Sequence, residues 1–257
     1  MRWTRMVLHM AAAAAILRLV FPRSSPARQR ALVGWWSAKL LRIVGVSTCI
    51  EGSPPDDCES GAMIAANHVS WIDIFVVSSV RPTRFIAKSE IRDWPIAGWV
   101  AERAGTIFIK RERRRDTARI NDLVHAALVQ GDRVGLFPEG TTTEGDRLLK
   151  FHSSLFEPAV VNQARVHPCA IRYEHADGSL CRPMAYAGEI SFRQSLGLVM
   201  RQRNVVARVA FAPPLDSAGL GRRNVTAAAE SEIARLLGVE VARSSPRTPH
   251  DPPDAPR

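Results

Sequence analysis

Cysteine is scarce and unpatterned. The 257-residue chain has four, Cys49, Cys58, Cys169 and Cys181, with no Cys-x-x-Cys pair and no finger spacing. That excludes a zinc ribbon and a disulfide-stapled scaffold, and it reads as reduced, unpaired, cytosolic cysteine. No cluster of His and Cys suggests a metal, so none is expected. Lysine is scarce as well. Of 35 basic residues only Lys39, Lys88, Lys110 and Lys150 are lysine, and the other 31 are arginine. In so arginine-rich a chain, a lysine marks a place where a compact point charge is wanted. A long apolar run is also missing. The stretch from Met6 to Phe21 is interrupted by His9 and Arg18, which leaves it short of the about 20 residues of a standard span. Its basic start and alanine-rich centre are those of a secretory leader, but Arg18 and the lack of a small-x-small cleavage site speak against one. There is no Gly-x-Ser-x-Gly elbow of the serine hydrolases, and no internal repeat.

What remains is apolar and basic. Hydrophobic residues make up 46% of the chain, enough for a sizeable core, and the net charge is +10. The charge calls for an anionic partner. The basic run Lys110 to Arg115 carries no interleaved aromatics, so a membrane or a phosphorylated substrate fits and nucleic acid is not expected.

Taken in order, the chain opens with the apolar segment just described. Ser25-Pro26 then starts a second helix, with proline at its first position, that runs to about Val44 and closes at Gly45. Basic positions and Trp3, Trp35 and Trp36 suit this pair of helices to a membrane interface. From Val46 short apolar runs alternate with helical patterns. Expected strands are 47–51, 62–66, 84–87, 106–109, 133–137, 166–171 and 205–211; expected helices are 71–80, 116–130, 153–163 and 224–237. Such alternation predicts an α/β fold, a central mostly parallel sheet flanked by helices. Three regions follow: membrane-associating helices at 1–45, the α/β domain at 46–243, and a proline-rich tail at 244–257 that should be disordered.

The densest polar chemistry is Asn67-His68-Val69-Ser70-Trp71-Ile72-Asp73, between an apolar strand and an apolar helix. In one continuous helix, residues five apart are rotated by about 140° and separated by about 7.5 Å, so His68 and Asp73 would diverge. They meet only if the chain turns at His68 before the helix begins. Ser70 as N-cap would start that helix and put Asp73 in its first turn, where a carboxylate suits the positive end. Asp73 could then hold one imidazole nitrogen while the other takes a proton from a hydroxyl. The alternative is that Asp73 does nothing but cap.

In an open α/β sheet, ligands bind beyond the carboxyl ends of strands. Here His68, Lys88, Arg111 and Glu139-Gly140-Thr141 each follow an expected strand. One rim would therefore gather a His–Asp pair, two cations and a Glu-Gly-Thr turn.

These segments resemble the glycerolipid acyltransferases. Asn67-His68-x4-Asp73, Gly105-Thr106-Ile107-Phe108-Ile109-Lys110-Arg111, Phe137-Pro138-Glu139-Gly140-Thr141 and Val166-His167-Pro168 match that family's four motif blocks in order. The bacterial 1-acylglycerol-3-phosphate acyltransferases are the nearest branch. His167 and Cys169 stand where the fourth block usually has aliphatics, so only Pro168 is carried over. The resemblance implies fatty acyl transfer from acyl-CoA or acyl carrier protein, as co-substrate, to a glycerol hydroxyl. It implies His68 as general base, Asp73 as its orienting partner, Lys88 and Arg111 on the acceptor phosphate, and Glu139, Gly140 and Thr141 around the acceptor pocket. It also implies no cofactor, membrane phospholipid as partner, and residence on the cytoplasmic face of the bacterial inner membrane. The stretch from Phe137 to Phe156 also resembles lyso-ornithine-lipid acyltransferases, which makes their reaction the alternative. Two other readings are a hydrolase using Ser70 and a non-catalytic anionic-lipid-binding module.

Overall fold

The computed structural model describes residues 1–88, 101–102, 105–109 and 114–242, with only the backbone of Lys88, Ile109 and 114–118. Lys110, Arg111 and the tail at 244–257 lie outside the described residues.

The described residues form nine strands: β1 (Val46–Glu51), β2 (Met63–Ala66), β3 (Arg84–Lys88), β4 (Ile107–Ile109), β5 (Val134–Leu136), β6 (Leu148–Leu149), β7 (Val166–Glu174), β8 (Val205–Phe211) and β9 (Val241–Ala242). Seven form one sheet in the order β1-β8-β7-β2-β5-β3-β4, and β6 pairs with β9 apart from it. Every neighbouring pair in the large sheet is parallel except β7 with β8. The expected mostly parallel α/β sheet is therefore the observed one. The two-residue strands β6 and β9 were not expected, being too short to show a period.

The sheet has a core on each face. Strand β2 shows why: Ile64 and Ala66 point into one core, Met63 and Ala65 into the other, and all four are buried. A strand covered on both sides has no polar alternation to keep, so it reads as an unbroken apolar run. On the first face pack α2 (Pro26–Val44), α3 (Asp73–Val80) and α6 (Phe192–Arg201), through Leu41, Val44, Val76, Val77, Val199 and Met200. On the other lie α4 (Arg114–Val129), α5 (Glu157–Val161) and α7 (Arg222–Leu237), through Val124, Leu128, Ala159, Val225 and Ile233. Helix α6 is absent from the expectations. Its signal was a capping box, Ser191 with Gln194, and both reciprocal bonds are formed.

Helix α2 follows its sequence signals. Ser25 caps it, Pro26 opens it, and Gly45 closes it at φ 83°, in the left-handed region that glycine enters without strain. Its last turns belong to the first core, so the expected division at residue 45 runs along a packed boundary. Before it, α1 (Arg2–Ala15) continues without a break through a π turn at Ile16–Val20 and a 3-10 turn at Phe21–Arg23. The expectation of too short a run is thus corrected: Arg18 interrupts the hydropathy but not the backbone. The resulting 22-residue helix is long and apolar enough to cross a membrane by length and composition. It buries His9, Ala13 and Leu17, four residues apart, and turns Trp3, Val7, Leu8 and Leu19 outward. His9 stacks on Trp36 of α2 with ring centres 4.7 Å apart.

Candidate active site

Strands β2, β5, β3 and β4 are parallel, so their carboxyl ends share one rim. The chain leaves β2 at Ala66 and turns, and the turn is fixed from several sides. Asn67, fully buried, donates its side-chain amide to the carbonyl of Ile171 (3.0 Å) and accepts the N–H of Ile171 (2.7 Å). A side chain thereby extends the β2–β7 ladder one step beyond its last backbone pair, Ala66 with Cys169.

His68 is held at four points. Its Nδ1 lies 2.8 Å from Asp73 Oδ2. Its backbone N–H donates to Glu139 Oε1 (2.7 Å), and its carbonyl accepts the N–H of Thr143 (2.9 Å). Its ring stacks on Phe137, with centres 3.9 Å apart and planes 8° from parallel. Phe137 stacks in turn on Phe85, which crosses over Gly135. A Cβ on Gly135 would come within 2.5 Å of the Phe85 ring, so the glycine makes room for the column of rings under the imidazole. The side chain of His68 keeps 21% of its exposure. Its Nε2 has no hydrogen-bond partner among the described residues, which leaves that nitrogen for a ligand.

Asp73 is fully buried and saturated. Oδ2 accepts His68 Nδ1 and the backbone N–H of Val69 (2.8 Å) and Ser70 (2.9 Å), while Oδ1 accepts the hydroxyl of Tyr173 (2.6 Å). Four donors offset the large cost of taking a carboxylate out of water. The expected cap is corrected here. Ser70 does not cap: α3 begins at Asp73 itself, and the Ser70 hydroxyl is buried without a partner among the described residues. The Asp73 carboxylate takes the two turn N–H groups, because a charged acceptor outcompetes a hydroxyl. Ser70 is also not bonded to His68, so the arrangement a serine nucleophile requires is not formed.

Glu139 sits behind this turn. It is 2% exposed, and its second oxygen accepts the N–H of Leu149 (2.9 Å). Burial pushes its pKa up to about 7, against the pull of these two N–H bonds. Both oxygens are committed to backbone, so Glu139 braces the His68 turn from inside. Gly140 closes the turn with its N–H on the Phe137 carbonyl and a φ of 75°, and Thr141 is exposed at its tip. Lys88 ends β3 on the His68 rim, two strands away across β5, which is about 10 Å at ordinary strand spacing. Arg111 falls outside the described residues, just after β4 reaches the same rim.

Phe137 and Tyr173 were given no role by sequence reasoning. Phe137 stood inside a recognised block. Tyr173 follows Cys169 and Ile171 at strand alternation, and all three face the first core, where α3 lies.

An imidazole held in one orientation, with a free ring nitrogen, can act as a base. Comparison with known proteins gives the family. A family model described as Acyltransferase matches residues 47–172. A lyso-ornithine lipid O-acyltransferase of Pseudomonas aeruginosa is 34% identical over 213 residues, covering 83% of this chain and 80% of that protein. A 1-acyl-sn-glycerol-3-phosphate acyltransferase of Neisseria gonorrhoeae is 36% identical over 192 residues, 74% of each chain. The crystal structure of the 1-acyl-sn-glycerophosphate acyltransferase of Thermotoga maritima superposes with a TM-score of 0.63 at 18% identity, over 93% of this chain and 97% of that one, a likeness of fold. The chain therefore belongs to the acyltransferase family that includes the 1-acyl-sn-glycerol-3-phosphate and lyso-ornithine lipid acyltransferases.

Proposed function

We propose that this protein moves a fatty acyl group from acyl-CoA or acyl carrier protein to the free sn-2 hydroxyl of 1-acyl-sn-glycerol 3-phosphate, giving phosphatidic acid. The observation that carries the reading is His68 fixed through Nδ1 by a fully buried Asp73, with Nε2 unpaired among the described residues and the side chain 21% exposed. In the reaction, Nε2 takes the hydroxyl proton as the oxygen bonds to the thioester carbonyl carbon. The C–S bond then breaks, and the proton passes to the leaving thiolate. Asp73 stabilises the imidazolium formed in between. Oxygen replaces sulfur on one carbonyl with no change of oxidation state, so the chemistry calls for no cofactor and no metal. Lys88 and Arg111 are assigned to the acceptor phosphate, which carries close to two negative charges. The shared rim at the ends of β3 and β4 supports that assignment.

A membrane is the natural source of such an acceptor. The outward Trp3, Val7, Leu8 and Leu19, together with the basic charge, support docking to anionic lipid on the cytoplasmic face of the bacterial inner membrane.

Acylation of lyso-ornithine lipid is the second reading, favoured by the Pseudomonas aeruginosa relative, which covers 83% of the chain against 74% for the Neisseria gonorrhoeae relative. An acceptor screen separates them: purified protein, labelled acyl thioester, and either lysophosphatidic acid or lyso-ornithine lipid. The first reading expects labelled phosphatidic acid and an Arg111→Ala variant whose KM for lysophosphatidic acid rises by roughly tenfold, the loss of one charged contact. Arg113→Ala should change little. Transfer to lyso-ornithine lipid alone establishes the second reading.

A further inference from the structure

We propose that Tyr173 is a positioning residue for this reaction, acting on His68 through Asp73. The inference rests on the reading of His68 as general base. The hydroxyl of Tyr173 is fully buried and donates to Asp73 Oδ1 at 2.6 Å, while the three other donors to that carboxylate all fall on Oδ2. Without Tyr173, Oδ1 would have no partner among the described residues, and the carboxylate would be held from one side only.

The fold delivers this hydroxyl with care. Asn67 splices β2 to β7 at Ile171, directly before the turn that bears His68. Two residues further along β7, on the same face, comes Tyr173, under the first turn of α3. The one side chain thus sets the β7 register against which the phenol meets Asp73.

Two consequences follow. The Tyr173 bond restrains rotation of the carboxylate, and so the angle at which Oδ2 meets the imidazole. It also draws off part of the carboxylate charge, which weakens Asp73 as an acceptor toward His68. Among the described residues the ionisable groups around the pair are Glu139 from the turn after β5, and Cys169 with Tyr173 from β7, both thiol and phenol pushed well up by burial and by the Asp73 charge. Neither of these last two titrates in the working range, so a change in pH profile reports on the pair or on Glu139.

The test is Tyr173→Phe, which keeps the buried ring. In the full-length protein with saturating acyl thioester, kcat should fall roughly tenfold with KM for the acceptor nearly unchanged. The acidic limb of the kcat/KM profile should move up by about half a pH unit, because a carboxylate freed of one donor holds the imidazolium more tightly. In an Asp73→Asn background the same substitution should add almost nothing, since the group it acts through is gone. A variant with a lowered Tm but unaltered pH profile and kcat overturns the proposal, and so does an additive loss in the double variant. His68→Ala is measured alongside. Transfer retained by it overturns the base reading and the proposal with it, whereas an inactive His68→Ala beside a wild-type Tyr173→Phe overturns the proposal alone.

Discussion

At the scale of single residues, the site is a competition for a few hydrogen bonds, and charge decides it. The spacing of His68 and Asp73 was legible because only a turn between them lets them meet. The occupant of the turn was not. Ser70 is a good cap by residue type, yet two N–H groups of the turn go to Asp73, and no local rule compares a hydroxyl with a carboxylate three residues away. Tyr173 was illegible for a different reason: its bond to Asp73 spans 100 residues of chain. Glu139 was read as a pocket residue and is found as a buried brace, which gives it a stability signature. Its folded pKa of about 7 lies above its ordinary value of 4.5. The folded state therefore holds the Glu139 proton more tightly than the unfolded chain does. The stability this contributes is fully present below pH 4.5 and is lost as pH rises through 7. Compared with Glu139→Gln, the wild type should lose about 3 kcal/mol of unfolding free energy between pH 4.5 and 8. Denaturant melts of both proteins across that range measure it; a difference that stays flat with pH contradicts the burial of an ionisable carboxyl there.

At the scale of elements, caps and breakers were readable wherever the chain spells them: Ser25-Pro26 and Gly45 bound α2, and Gly131 follows α4. Elements defined by partners were not, as the paired dipeptides β6 and β9 show. The N-terminal helix lies between these cases. Its amphipathic character was visible, but the uninterrupted backbone from Arg2 to Arg23 was not, because His9 and Arg18 interrupt the apolar run. Its inner stripe packs on α2, and its outer stripe has no protein partner to cover it among the described residues. Replacing Trp3, Val7, Leu8 and Leu19 by glutamine should therefore leave the melting temperature close to wild type. The same variant should lower binding to vesicles of mixed neutral and anionic phospholipid by roughly two orders of magnitude. Flotation assays measure this, and unchanged partition would place the membrane contact elsewhere on the molecule.

At the scale of the whole molecule, parallel strands make a directional object. Every chain segment that leaves a parallel strand at its carboxyl end arrives on one side of the sheet, so the placing of His68, Lys88 and Glu139 on one rim was readable from their positions after strands. The order of the strands, and the reversal of β1 and β8 against the other five, depend on long-range pairing with no local trace. That rim gives the account its central claim, that a lysolipid hydroxyl is acylated by proton transfer to His68. The most direct measurement is single-turnover transfer from a labelled acyl thioester to lysophosphatidic acid or lyso-ornithine lipid, comparing wild type with His68→Ala at matched folding and vesicle binding. The account predicts labelled diacyl product from the wild type with at least one of the two acceptors, and a rate for His68→Ala lower by roughly three orders of magnitude. Equal rates from the two proteins would contradict it.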